Sequence, residues 1–231
     1  MSELEPLPKN AFGKDLKDPV CDYFFRDKNY IQLGDEHSHW YMHLSGILDE
    51  DMLYQVEEFT KDKEMGDAVA MGSQYSTDGD KLRSTKLIWL TSKSFEDDLH
   101  SVYEYIADIV RSVNNDLWGY NIIGWEPLQY LTYLAEENGR FDWHIDIPAR
   151  RMKGNQRKVS FMIGLSDVSE YEGGELQLRL GVEDVSIKLN RGEIVIIPSF
   201  ILHRVTTATK GVRKVITGWG SCPNFVCILT T

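Results

Sequence analysis

The sequence is poor in cysteine and has neither a long hydrophobic segment nor an apolar leader. Its three cysteines, Cys21, Cys222 and Cys227, are too few and too unevenly placed for a disulfide framework, so we expect free thiols in a reducing compartment. No apolar run approaches the roughly 18 residues of a membrane span, and the N-terminus lacks the apolar core of a secretory signal. These absences predict a cytoplasmic protein that has no membrane partner.

Basic side chains are also scarce, because 36 acidic residues outnumber 25 basic ones and give a formal charge of −11. A protein that binds a nucleic-acid backbone needs clustered Lys and Arg, so we expect no nucleic-acid partner. With 42% hydrophobic and 26% charged residues, the composition is that of an ordinary globular protein. The length suits one large domain over residues 1–231.

Two amphipathic helices are predicted in the first half of the chain. Apolar residues spaced by three and four predict a helix at about 49–60, with Asp49 as its N-cap, and a longer one at about 95–113. Asn114, Asn115 and Gly119 are expected to end the second helix. We expect the helices to cover one outer face of a sheet.

From about residue 128 onward the hydrophobic period changes from 3.6 to 2, which is typical of strands. Glycine-containing turns separate the apolar stretches, and this spacing favours a sandwich or barrel of mainly antiparallel strands. The expected fold class is therefore mainly β with flanking helices (α+β). The predicted strands are 128–134, 158–165, 175–180, 185–189, 193–197 and 213–219.

A His-x-Asp pair is the sharpest chemical feature of the chain. His144 and Asp146 are two residues apart, so their side chains would point the same way on a strand. His203, just beyond the 193–197 strand, is the candidate third ligand. Two histidines and one carboxylate are the ligand set of non-haem Fe(II) oxygenases. The simpler alternative, with His144 in the core and Asp146 in a turn, stays open at this point.

Arg213 follows His203 on the next predicted strand, where it shares a face with Val215 and Trp219. If that face is the interior, the guanidinium is buried among apolar neighbours, which costs roughly several kcal/mol without a partner. A bound carboxylate would offset this cost by accepting two hydrogen bonds. The alternative is that the opposite strand face is the interior and Arg213 points to solvent.

Taken together, these features resemble the Fe(II)- and 2-oxoglutarate-dependent dioxygenases, and within them the prolyl 4-hydroxylase-like group. The resemblance covers roughly residues 45–220. Single motifs are weak, but their order along the chain makes the resemblance specific. The matching segments are 83–90, 114–122, 128–133, 141–146, 171–176, 192–198, 203–205 and 211–213.

The resemblance implies a double-stranded β-helix, or jelly roll, at about 121–222. A helical part at about 1–120 precedes it in the same domain, with its helices packed on one sheet. The resemblance assigns His144, Asp146 and His203 to iron. It implies Fe(II) as the metal, 2-oxoglutarate and O2 as cosubstrates, and ascorbate as an optional addition.

The resemblance also suggests how the cosubstrate binds. It assigns Arg213 to the distal carboxylate of 2-oxoglutarate. Tyr133 matches a tyrosine that contacts the cosubstrate in many members, although a plain strand aromatic explains it equally well. Many animal members carry a further tyrosine on the strand after the metal motif, and this chain has none in line. Either Ser160 or Thr217 compensates, or the cosubstrate relies more heavily on Arg213.

The expected activity is hydroxylation of an unactivated C–H bond, most naturally of a prolyl residue in a peptide or protein. Two alternatives stay open. The first is a hydroxylase of a free amino acid or another small metabolite. The second is a jelly-roll binding module without enzymatic activity, which would bind neither iron nor 2-oxoglutarate. The oligomeric state stays open as well.

Three further features have both a functional and a plain interpretation. The basic 147–157 loop and the irregular 62–80 loop are either lids over the site or ordinary solvated loops. The histidines His37, His39 and His43 form a separate metal site only if a carboxylate joins them.

Overall fold

The computed structural model of the protein describes most of the chain after residue 39. Cys21, Cys227, His37 and His39 lie outside the described residues, as do most of the two predicted lid loops. The predicted single domain over the whole length is therefore still a prediction. The described residues are 40–68, 82–91, 99–147, 155–182 and 184–223.

The first helix, α1 (Glu50–Thr60), begins and ends where the sequence predicts it. Asp49 is its N-cap, and the carboxylate accepts a hydrogen bond from the backbone N–H of Met52 at 2.9 Å. This bond satisfies one of the N–H groups that every helix leaves unpaired at its start. Leu53 and Val56 are buried on one face, so the predicted helix and its cap are confirmed.

The second helix, α2 (His100–Leu117), runs further than predicted. The predicted end at about 113 is wrong, because Asn114 and Asn115 lie within the helix, and of the three residues expected to end it only Gly119 lies beyond it. The Asn114 side chain donates to the carbonyl oxygen of Tyr120 at 2.8 Å and accepts from its backbone N–H at 3.1 Å. The amide therefore stabilises the turn after the helix instead of interrupting the helix. Gly119, with φ of +64°, lies just beyond the helix end in a left-handed conformation that glycine adopts without strain.

Fourteen strands occur in the described residues. They are β1 (Met42–Leu44), β2 (Gly66–Asp67), β3 (Arg83–Ser84), β4 (Lys86–Leu90), β5 (Gly124–Trp125), β6 (Leu128–Leu134), β7 (Arg140–His144), β8 (Asn155–Gly164), β9 (Tyr171–Gly173), β10 (Leu176–Arg179), β11 (Asp184–Ile187), β12 (Ile194–Pro198), β13 (Leu202–Val205) and β14 (Ala208–Pro223).

These strands form two antiparallel sheets. The larger has nine strands in the order β1-β12-β8-β14-β6-β4-β2, with β5 and β9 also paired to β14. The smaller has the order β11-β10-β13-β7-β3. Each predicted strand corresponds to an observed one, although the predicted 213–219 strand is only the middle of the long β14. The expectation of a mainly β fold with flanking helices is confirmed.

The core has two parts, one on each side of the larger sheet. Val56 of α1 and Val110 of α2 belong to the same apolar cluster as Ile216 of β14. A second cluster lies between the sheets and joins Leu178 of β10 to Val215 of β14. The helices thus cover one outer face, as predicted. Since Val215 faces the smaller sheet, residues that alternate with it on β14 also point between the sheets.

The described ends of the two predicted lid loops are partly strand. β2 lies within the 62–80 segment, and β8 begins at Asn155, so the 147–157 loop is shorter than predicted. Pairing with β14 explains this difference, because the ladder extends to Asn155 opposite Pro223. Within the described residues, neither helix has the length and apolar character needed to span a membrane.

Candidate metal centre

Three side chains that are far apart in the sequence meet at the ends of neighbouring strands. His144 ends β7, Asp146 follows two residues later, and His203 lies on β13. One potential ligand atom from each lies within 4.8 Å of the others. Nε2 of His144 is 3.8 Å from Oδ1 of Asp146, and Nε2 of His203 is 3.6 Å from Oδ2. The structure therefore brings together the three candidate ligands.

Strand pairing explains why they converge. His144 and His203 are directly opposite each other in the β7–β13 ladder, with ring centroids 4.2 Å apart. Opposite residues on one face of an antiparallel pair have touching side chains. Beyond β7, the backbone N–H of Asp146 donates to the carbonyl oxygen of Ser199 at 2.9 Å. This bond holds the aspartate beside the end of β12, within reach of both rings.

Backbone carbonyls set the orientation of both imidazoles. Nδ1 of His144 is 2.7 Å from the carbonyl oxygen of Asp142, and Nδ1 of His203 is 2.8 Å from that of Ile201. A carbonyl oxygen only accepts, so Nδ1 is the protonated nitrogen in each ring. Nε2 then keeps its lone pair, and in both rings it is the atom that faces Asp146. Metal-binding histidines are commonly oriented in this way.

The protonation states also suit a divalent cation. Burial lowers the pKa of His144 to about 3, and the neighbouring His203 adds to this effect. Burial raises the pKa of Asp146, but the two imidazoles outweigh it, and the pKa of the carboxyl lies below its ordinary range. At neutral pH the centre therefore presents a neutral His144 donor and an ionised carboxylate, as metal binding requires.

Arg213 points between the two sheets, so of its two predicted orientations the interior one is observed and the solvent-facing one is not. It is only 1% exposed. Among the described residues its Nε and Nη1 atoms have no hydrogen-bond partner, and Nη2 contacts Sδ of Met162 at 3.1 Å. A buried guanidinium with two unpaired nitrogens is costly on its own. It fits a bound carboxylate, which would accept hydrogen bonds along one edge of the guanidinium, from Nη2 together with Nε or Nη1.

Tyr133 lies directly opposite Arg213 in the β6–β14 ladder. Its ring centroid is 5.0 Å from Cζ of Arg213, and the tyrosine is fully buried. At this distance the ring stabilises the cation through a cation–π interaction. The structure therefore places Tyr133 beside the predicted cosubstrate arginine.

The two candidate replacements for the missing tyrosine are engaged elsewhere. Ser160 Oγ lies 2.8 Å from Ser199 Oγ, and Thr217 Oγ1 donates to the carbonyl oxygen of Phe161 at 2.9 Å. These bonds make compensation by Ser160 or Thr217 less favourable. They favour the other alternative, in which cosubstrate binding would depend more heavily on Arg213.

Arg83 is a site residue to which the sequence assigned no role. Its Cζ lies 4.7 Å from the ring centroid of Phe141, and that ring stacks on His144 with centroids 3.5 Å apart. Nε donates to Thr85 Oγ1 at 2.7 Å and Nη2 to Gln129 Oε1 at 3.3 Å. Both partners are neutral. In the sequence, the only indication of a role for Arg83 was its position at the start of the 83–90 segment, one of those that resemble the family.

Arg83 lies beside the metal ligands, because the Phe141 ring on which it packs is itself stacked on His144. Burial lowers its pKa, whereas Tyr133 and Asp146 raise it. Since it is surrounded mostly by neutral groups, Arg83 adds a positive charge to the cleft beyond that of Arg213. The cleft therefore favours anionic ligands.

Two minor predictions can also be assessed. Cys222 is a buried free thiol, as predicted. His43 lies against Glu193, with Nε2 2.9 Å from Oε2, so this histidine takes part in a pair that joins β1 to the turn before β12.

Comparisons of the sequence with known proteins agree with this geometry. A profile of the 2OG-Fe(II) oxygenase superfamily matches residues 128–221. A PKHD-type hydroxylase of Synechococcus sp. (strain CC9311) is 40% identical over 91 residues, which is 39% of this chain and 40% of that protein. A PKHD-type hydroxylase of Crocosphaera subtropica is 51% identical over 61 residues, 26% of this chain and 28% of that protein. The chain thus matches two fifths or less of the length of these curated relatives.

Solved structures share the fold. A prolyl-4-hydroxylase of Pseudomonas putida has a TM-score of 0.62 at 17% identity, over 82% of this chain and 96% of that chain. A prolyl hydroxylase of Trichoplax adhaerens, in complex with a hypoxia inducible factor peptide fragment, has a TM-score of 0.62 at 16% identity, over 79% and 83%. Residues 128–221 thus match the 2OG-Fe(II) oxygenase superfamily, this segment contains the His-Asp-His cluster, and the chain shares its fold with solved prolyl hydroxylases.

Proposed function

We propose that this protein is an Fe(II)- and 2-oxoglutarate-dependent dioxygenase that hydroxylates an unactivated C–H bond, most favourably on a prolyl residue of a peptide or protein. One observation carries the proposal. The His144, Asp146 and His203 ligand set lies between the same two sheets as Arg213, whose buried guanidinium has two unpaired nitrogens. The proposal includes a double-stranded β-helix core and a single domain over residues 1–231.

The three ligands would hold Fe(II). His144 and His203 offer Nε2, and Asp146 offers a carboxylate oxygen and the negative charge. Two histidines and one carboxylate leave other coordination positions of the ion open for cosubstrate and dioxygen. When bound, Fe(II) supplies the redox chemistry by which O2 oxidises 2-oxoglutarate to succinate and carbon dioxide and places one oxygen atom in the substrate as a hydroxyl.

Arg213 would bind the distal carboxylate of 2-oxoglutarate. Either unpaired nitrogen, Nε or Nη1, can donate to it together with the adjacent Nη2, and water does not compete, because the residue is almost fully buried. Tyr133 holds the guanidinium from one side, and Met162 contacts it at Nη2. The cosubstrate would thus be oriented by a cation that is already fixed before binding.

The proposal of a prolyl substrate is supported by the similar proteins, since the solved structures with this fold include prolyl hydroxylases. A free amino acid or another small carboxylate is the second candidate, and Arg83 favours it. After Arg213 has paired with the cosubstrate, Arg83 is a further cation of the cleft, with neutral hydrogen-bond partners. A substrate carboxylate would balance this charge.

Succinate formation from 2-oxoglutarate tests the proposal. Purified protein with Fe(II), ascorbate and 2-oxoglutarate is incubated with three panels: prolyl peptides, free amino acids, and the matching amino-acid amides. We expect one panel to stimulate succinate formation, and His203→Ala to abolish it. If free amino acids stimulate succinate formation and their amides do not, the substrate is recognised through its carboxylate, and the second candidate function is the correct one. If wild-type protein neither binds iron nor forms succinate with any panel, the binding-module alternative is favoured and the proposed function is wrong.

A further inference from the structure

His144, the first candidate metal ligand, lies flat against an aromatic ring of its own strand. The Phe141 ring stacks on the imidazole with the two centroids 3.5 Å apart and the two planes inclined by 14°. Phe141 is partly buried and packs against the apolar cluster between the sheets. A single hydrogen bond at Nδ1 leaves an imidazole free to tilt, whereas close contact over a whole ring face leaves it little room to do so.

A β-bulge in β7 brings the two rings to the same face of the sheet. Residues three apart in a regular strand point to opposite faces. In the β7–β13 ladder, however, the register shifts between the positions of Phe141 and His144, so that Asp142 and Trp143 lie opposite a single residue of β13. Both rings therefore point between the sheets. Bulges next to active sites often re-aim a side chain in this way.

Both residues of the bulge are held in place. The carbonyl oxygen of Asp142 accepts the hydrogen bond from Nδ1 of His144, and its Oδ1 accepts from the backbone N–H of Trp143 at 2.7 Å. Trp143 precedes His144 and so points to the other face of the sheet. There its ring centroid is 4.0 Å from Cζ of Arg179 and 4.7 Å from Cζ of Arg204. These cation–π contacts hold the bulge from the side opposite the metal ligands.

The second face of the Phe141 ring is covered as well. Arg83 lies directly opposite Phe141 in the β3–β7 ladder, with its Cζ 4.7 Å from the ring centroid. Hydrogen bonds to Thr85 and Gln129 hold the guanidinium there. Since the imidazole already covers one face of the ring at 3.5 Å, the guanidinium covers the other. The phenyl ring is thus the middle layer of a stack, and it cannot tilt without breaking a cation–π contact.

We propose that Phe141 is a positioning residue, which fixes the plane of the His144 imidazole and so directs Nε2 toward the metal. The inference rests on the proposed function only in taking His144 as a metal ligand. Phe141 acts through the imidazole and supplies no ligand atom. Its three-residue spacing from His144 predicts opposite faces in a regular strand, so the role follows only from the bulge.

Mn(II) titration of the full chain by calorimetry tests the proposal without any need for a substrate. Phe141→Leu keeps an apolar side chain but removes the flat ring. We expect it to weaken Mn(II) binding by about tenfold or more, as when other groups that orient a metal ligand are removed. Phe141→Tyr keeps the ring and should bind Mn(II) as tightly as wild type. If Phe141→Leu does not fold, Phe141→Met replaces it, because methionine fills irregular space without a rigid plane.

The visible absorption spectrum of the Co(II)-loaded protein gives a second measurement, since it depends on how the ligands are arranged around the ion. At saturating Co(II), the spectrum of Phe141→Leu should differ from that of wild type. The spectrum of Phe141→Tyr should match it. A wild-type spectrum in Phe141→Leu would contradict the positioning role.

Phe161→Leu provides the matched control. Phe161 is a buried ring of β8 in the apolar cluster on the helix side of the larger sheet. The same substitution there should lower the Tm and leave Mn(II) affinity unchanged. If Phe141→Leu binds Mn(II) as tightly as wild type, or if Phe141→Tyr or Phe161→Leu loses as much affinity as Phe141→Leu, the positioning role is wrong while the proposed function stands. If wild-type protein binds no Mn(II), both are wrong.

Discussion

Gly174 and Arg213 lie so close that a side chain at position 174 would press on the arginine. A Cβ atom on Gly174 would be 2.9 Å from Cδ of Arg213. Gly174 also has φ of +65°, which favours glycine over other residues. The Gly-Gly turn after β9 therefore leaves the space through which the Arg213 side chain passes.

Gly174→Ala should displace Arg213 and weaken 2-oxoglutarate binding. The added methyl group cannot be accommodated without moving the arginine stem, so we expect the Kd for 2-oxoglutarate to rise by about tenfold, as for other small misplacements of a binding group. Calorimetric titration of the Mn(II)-loaded protein measures it. Gly181→Ala is the control, because no atom lies within 4 Å of its added Cβ. Equal affinity in both variants would contradict the account.

Arg213→Met should weaken 2-oxoglutarate binding while making the unliganded protein more stable. Loss of two charge-assisted hydrogen bonds should raise the Kd for 2-oxoglutarate by at least about tenfold. The unliganded protein, however, loses a buried cation with unpaired nitrogens, so its free energy of unfolding should rise by about 1 kcal/mol. Thermal unfolding with and without 2-oxoglutarate measures both effects, since ligand should raise the Tm of wild-type protein only.

Arg191→Met serves as the contrasting variant for that experiment. Arg191 pairs with Glu57 and Glu50, and Nη1 also donates to the carbonyl oxygen of Leu165 at 2.6 Å. Its removal leaves these acceptors without a partner, so this variant should be less stable than wild type and should keep its 2-oxoglutarate affinity. A loss of stability in Arg213→Met as large as that in Arg191→Met would show that Arg213 is a structural residue.

The sequence predicted the strands and the His144–Asp146 pair because both depend on short-range patterns, whereas the convergence of His203 on this pair depends on the pairing of β7 with β13. Alternation identified β6, β8 and β10, and the two-residue spacing placed His144 and Asp146 on one side. The prediction ended α2 too early. Asn114 stays in the helix because its side chain forms hydrogen bonds with the backbone of Tyr120, and the sequence pattern does not show this contact. The contacts of Arg157 with Glu126 and Trp219 could not be predicted, since they depend on a one-residue register shift in a ladder whose partner strand lies some 60 residues away.

Acid should weaken the contact between β1 and the turn before β12. Burial raises the pKa of Glu193, but hydrogen bonds from His43 and from the backbone N–H of Asn190 outweigh it, so the pKa is lowered. A carboxyl with a lowered pKa stabilises the fold above its unfolded pKa of about 4.3. This stabilisation is lost as the pH falls through the folded value.

Thermal unfolding of Glu193→Gln between pH 7 and pH 3 tests this expectation. The variant should have a lower Tm than wild type at pH 7, and the difference should shrink as the pH falls below the unfolded pKa of about 4.3 and through the lower pKa of folded Glu193. Glu172→Gln is the control, because its pair with Lys210 is exposed and such pairs contribute little. A Tm difference that stays constant over the whole range would refute the assigned role of Glu193.

The most direct test is a crystal structure of the protein with Mn(II) and 2-oxoglutarate. The account predicts one metal ion bound by Nε2 of His144, Nε2 of His203 and the carboxylate of Asp146. It also predicts a cosubstrate carboxylate that accepts hydrogen bonds along one edge of the Arg213 guanidinium, at least one of them from Nε or Nη1. A metal ion bound elsewhere, or an Arg213 whose nitrogens still lack a carboxylate in the presence of 2-oxoglutarate, would contradict it.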